Sequence, residues 1–131
     1  MAFLSVILAA LGAFAFGAVW YMSVSKAWIK AAGVKVGADG KPQGGSSPMP
    51  FIIGFSAMVL VAGMMRHLLA ASGVETVLGG IIGGFGIGAF LITPWVAMNY
   101  AFAARDPKLT LIDGVNSVVG CAIMGAILTL F

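Results

Sequence analysis

The sequence predicts an all-α integral membrane protein: a four-transmembrane-helix bundle with a short interfacial helix after helix 1. Composition and the spacing of charges carry that prediction. Hydrophobic residues make up 61% of the 131-residue chain and charged residues 8%, against about 45–50% and about 25% in soluble domains. Mean hydropathy is +1.10. Such a chain cannot cover its surface with polar groups, so lipid is the expected solvent. Its length leaves room for one compact unit, residues 1–131.

A hydrocarbon core of about 30 Å needs about 20 apolar residues as helix. Residues 2–22 meet this without a charge, and 51–71 meet it with only Arg66 and His67 near the end. Residues 77–102 are uncharged, and 109–131 carry only Asp113, close to the start. A β-barrel would alternate over segments of about ten residues, and these runs do not. No basic residue precedes the first run, so it is expected to stay as an uncleaved helix, although Ala13-Phe14-Ala15 imitates a leader cleavage site.

Helix starts are expected from local capping patterns. Ser72-Gly73-Val74-Glu75 and Thr110-Leu111-Ile112-Asp113 both fit a capping box ahead of an apolar stretch. In such a box hydroxyl and carboxylate satisfy helix-end donors that lipid cannot. Ser47-Pro48 suits an N-cap with proline in the first turn.

Between the first two spans, residues 25–32 suit a short interfacial helix: Trp28 and Ile29 are apolar, and Lys26 and Lys30 reach headgroups. Residues 37–50, rich in Gly, Pro and Ser, read as a flexible loop. The first and third connections hold Lys26, Lys30, Lys35, Lys41, Arg105 and Lys108, six of the seven basic residues. The positive-inside rule then puts both termini on the non-cytoplasmic side. The net charge of +3 is thus a topology signal and not a nucleic-acid surface.

Span three offers two small-residue registers, Gly79/Gly83 and Gly80/Gly84/Gly88, and span four a stripe of Ser117, Cys121 and Gly125. Small residues at this spacing let helix backbones approach. Gly84-Phe85-Gly86-Ile87-Gly88 superficially imitates a nucleotide loop, but no strand precedes it. Pro94 is expected to bend span three and free the carbonyl of Phe90, with Thr93 helping to satisfy the freed groups. The lone Cys121 reads as a small buried hydrophobe.

At Gly17-x-x-Trp20-Tyr21, followed by Lys26-Ala27-Trp28 and Gly33, the chain resembles the family called domain of unknown function 1761. The terminal stretch resembles it too, at Ile112-Asp113-Gly114 and Met124-Gly125-Ala126-Ile127-Leu128. The resemblance implies a small multi-helix membrane protein and no particular activity.

Ionisable groups in a span are functional candidates by default. Asp113 can bind a proton or a cation, but its place in a capping box favours a role in folding, and Glu75 reads the same way. Trp20, Tyr21 and Trp28 suit an aromatic belt at headgroup level, with Lys26 beside them to meet lipid or a partner. Arg66 and His67 sit where a snorkelling arginine belongs, or where an anion, lipid or partner is contacted. Asn99 and Asn116 suit hydrogen bonds across helices. One histidine and one cysteine leave no metal centre, haem or other cofactor to expect, and no catalytic constellation is visible. The leading expectation is an accessory or structural subunit that packs against itself or a larger membrane complex. The alternative is a small oligomeric transporter or channel with its site near the Pro94 bend.

Overall fold

The computed structural model describes residues 2–35, 37–38 and 47–131. Six α-helices follow in order: α1 (Ala2–Ser23), α2 (Ser25–Ala32), α3 (Met49–Ala71), α4 (Val77–Ile87), α5 (Thr93–Phe102) and α6 (Pro107–Leu130). A π turn, Gly88–Ile92, joins α4 to α5, so that Val77–Phe102 is one span. No strand occurs among the described residues. Four helices are long and apolar enough to cross a membrane, and their many exposed apolar side chains suit lipid. α3 and α6 begin at Met49 and Pro107, two residues ahead of the apolar runs themselves. Most of the Gly/Pro/Ser-rich loop, Lys41 included, lies outside the described residues.

α6 is the central post, packing against α1, α3, α4, α5 and α2. α1 and α4 run antiparallel to it: Gly12 lies over Ile123 and Ile127, and Gly80, Gly84 and Gly88 lie over Gly125, Cys121 and Ser117. The core is thin and built of small or flexible side chains. Ala9, Ala13 and Ala62 interlock with Met65, Cys121, Met124 and Leu128. Alanine and glycine bring backbones together where bulkier residues would hold them apart, so packing replaces the hydrophobic drive that lipid removes.

Helix ends depart from the sequence reading. α4 is capped by Thr76, whose hydroxyl accepts the Gly79 N–H at 3.0 Å, while Ser72 closes α3 and Glu75 stands exposed before the helix. α6 is capped by Asp106, whose carboxylate accepts the Lys108 N–H at 2.9 Å. Thr110 and Asp113 therefore lie inside α6 and cap nothing. The reason is geometric: Gly73, at φ +71, ends α3 in the left-handed region and pushes the next start to Thr76, and Pro107 fits only the first turn of a helix. Ser47 receives the Met49 N–H at 3.3 Å, but the residue at the cap is Pro48 and the first-turn proline is Pro50.

Pro94 follows the π turn, in which the Thr93 N–H reaches back to the Gly88 carbonyl. The wider turn makes room for a ring that would otherwise meet the Phe90 carbonyl. Thr93 does not satisfy freed backbone groups: its hydroxyl is buried without a hydrogen-bond partner.

Candidate functional site

The polar groups of the bundle converge at the end that carries α2. In α1, Gly17, Trp20 and Tyr21 stand at i, i+3 and i+4 and so share one face, which turns toward α6. The indole N–H of Trp20 donates to the carbonyl of Ile112 at 2.9 Å. Tyr21 donates to Asp113 Oδ1 at 2.5 Å. From α5, Tyr100 donates to Asp113 Oδ2 at 2.6 Å. Each oxygen of one half-buried carboxylate is thus held by a different phenol on a different helix.

Elementary energetics explain the arrangement. A carboxylate inside an apolar bundle is costly unless its oxygens are hydrogen-bonded. A tyrosine brings both a donor and an apolar body that can pack beside it. Tyr21 meets Trp28 edge to face at 6.3 Å, and both pack with Tyr100 around Ala31, Leu109 and Ile112. One turn deeper, Ser117 donates to the Asp113 carbonyl at 3.0 Å. A Cβ on Gly17 would stand 3.2 Å from Asn116 Oδ1, so glycine there lets α1 pass over the carboxamide. That oxygen is buried and has no hydrogen-bond partner. Gly114 likewise admits Thr93, whose methyl would lie 3.1 Å from an added Cβ.

The aromatic-belt reading is corrected for Trp20 and Tyr21: their polar ends point into the bundle, not to headgroups. Trp28 is half-buried in the same cluster, whereas Lys26 is exposed on α2. Asn99, expected to bridge helices, is exposed on α5. Arg66 and His67 are exposed on α3 toward the opposite end, where Arg66 and Glu75 line a cleft of about 340 Å³. The structure thus leaves them far along the bundle from Asp113. Gly79 faces its own cap at Thr76, and Gly83 faces Leu69, so only Gly80, Gly84 and Gly88 meet the Ser117/Cys121/Gly125 stripe. Among the described residues no three His, Cys, Asp or Glu side chains come together.

A second feature adjoins the clasp. Between α3 and the π turn runs a groove of about 150 Å³, walled by Met58, Val61 and Ile92 and floored by Asn116, Gly120 and Cys121. Sequence reasoning missed Tyr100 as a partner of Asp113. The available signal was the uncompensated carboxylate itself, which requires donors from another helix.

Four apolar spans and an internal carboxylate clasp define a small multi-pass membrane protein of the four-helix kind. The chain belongs to the family described as protein of unknown function, DUF1761, which it matches over residues 4–129. That match takes in both halves of the clasp. No curated protein and no solved structure matches the chain.

Proposed function

We propose that the protein is an accessory or structural membrane subunit, packing against copies of itself or a larger membrane complex. The observation that supports this reading is the closure of the clasp. Both oxygens of Asp113 are taken by phenols of the same chain, which leaves the carboxylate engaged in joining helices rather than free for a substrate. Fully satisfied polar networks stiffen and specify a bundle. The small-residue faces and short turns serve the same end. In this reading both termini are non-cytoplasmic, with α2 and the 103–106 turn at the cytoplasmic surface. Native mass spectrometry after mild extraction from the source membrane should give a stable assembly. A strictly monomeric particle would overturn the proposal.

A small oligomeric transporter or channel is the second reading, favoured by the groove beside Pro94 and by the unpartnered oxygens of Asn116 and Thr93. Broken helices with polar groups at mid-depth are the usual form of transporter sites. Flux into liposomes that falls in Asp113→Asn or Arg66→Ala would support it, and flux that neither change affects would remove those residues.

A further inference from the structure

The two halves of span three are held in different ways. α4 lies on α6 with backbones in contact: a Cβ on Gly80 or Gly84 would collide with the carbonyl of Gly125 or Cys121, and one on Gly88 would lie 2.6 Å from the Ser117 carbonyl. Such a seam has no slack. α5 has no buried residue, and apart from the adjoining π turn its backbone lies close to α6 alone, with only the Tyr100 side chain reaching the cluster shared with Tyr21 and Trp28. Among the described residues one side-chain hydrogen bond from α5 itself ties it down, Tyr100 to Asp113 at 2.6 Å, and in the turn that follows Arg105 donates to the Ala32 carbonyl at 3.0 Å.

Between the halves the chain is built to bend. The π turn has one residue too many for regular helix, and Pro94, just beyond it, supplies no N–H to bond back to Phe90. The Thr93 hydroxyl at this junction is buried without a hydrogen-bond partner. The groove between Ile92 and α3 opens at this junction, and no residue of α5 lines it.

We propose that α5 is a hinged arm, pivoting at the π turn and latched to α6 by the Tyr100–Asp113 hydrogen bond. With the latch made, α5 lies along α6. With the latch broken, α5 swings while α4 stays zipped to α6, and the floor of the groove at Asn116, Ser117 and Cys121 widens toward the bilayer. Tyr21 shares the carboxylate but lies on α1, so it positions Asp113 without holding the arm directly. The inference is independent of whether the protein is a subunit or a transporter.

The test is pulsed-EPR distance measurement on the full chain in lipid nanodiscs. One label pair, Ser56→Cys with Ala101→Cys, reports α3 to α5; a control pair, Met64→Cys with Leu78→Cys, reports α3 to α4. All four positions are exposed, and the native Cys121, which lines the groove, is replaced by alanine in every labelled chain so that a widened groove offers no third labelling site. With Tyr100→Phe the first pair should gain a second distance component of about five-fold higher weight, and the control should not change. Tyr21→Phe should leave the first pair narrow. An unaltered first pair in Tyr100→Phe, equal broadening of both pairs, or an equal response to Tyr21→Phe would overturn the hinge. Should Tyr100→Phe fail to assemble, amide exchange of the unmodified chain decides. Residues 95–102 should exchange ~10-fold faster than 77–87, and equal protection overturns the proposal.

Discussion

Trp20 donates its indole N–H to the carbonyl of Ile112 across 92 residues of chain, and the next residue on each side, Tyr21 with Asp113, forms the clasp. The two stretches on which the family resemblance rests are therefore one physical unit. Removing its centre should cost more than removing either arm. Asp113→Ala leaves two phenols without their acceptor and should destabilise by about 1–3 kcal/mol. Tyr21→Phe and Tyr100→Phe should each cost about 1 kcal/mol, the scale of such bonds within membranes. Reversible unfolding in mixed micelles of increasing SDS content measures all three. In the Asp113→Ala background the Tyr→Phe changes should become nearly silent, because the acceptor they served is gone.

Gly17 makes a narrower prediction. A methyl at this position would stand 3.2 Å from Asn116 Oδ1, and α1 would have to lift from α6. Lifting α1 also lengthens the Trp20 and Tyr21 bonds one turn away. Gly17→Ala should therefore lower stability by roughly 1–3 kcal/mol, and Asn116→Ala in the same chain should restore much of the loss. A double-mutant cycle measures the coupling; additive effects would mean that the carboxamide turns aside freely.

The glycine seam separates positions that look alike in sequence. A Cβ on Gly84 would strike the Cys121 carbonyl, and one on Gly125 the Gly80 carbonyl, whereas one on Gly86 meets nothing within 4 Å. Backbone cannot move aside as a side chain can. Gly84→Ala and Gly125→Ala should thus destabilise by roughly 1–3 kcal/mol or more. Gly86→Ala should be neutral or should stabilise by up to about 1 kcal/mol through helix propensity. SDS-driven unfolding of the three variants checks the ranking.

What the sequence makes legible follows from the range of the forces involved. Hydropathy acts residue by residue, so the four spans and the helix at 25–32 could be read within two residues of their observed ends. Pro94 announced an irregular turn for a local steric reason. The clasp was not legible, because a carboxylate three residues after a threonine looks the same whether it caps a helix or meets tyrosines from afar. Nothing near Asp113 in sequence names Tyr21 or Tyr100. Glycine spacing showed two registers in span three, and only the position of α6 decides that Gly84 faces backbone while Gly83 faces Leu69.

The shifted helix starts give the last prediction. Thr76 accepts the Gly79 N–H, and Asp106 accepts the Lys108 N–H. Ser72 and Thr110, the hydroxyls of the two apparent capping boxes, accept no helix-start donor. Thr76→Ala and Asp106→Ala should each cost about 1 kcal/mol, while Ser72→Ala should cost close to nothing. The effects should also differ in place. Amide exchange near Gly79 should rise in Thr76→Ala, and exchange near Lys108 in Asp106→Ala, because an uncapped first turn frays locally. Greater loss of protection in Ser72→Ala than in Thr76→Ala would return the start of α4 to the Ser72 box.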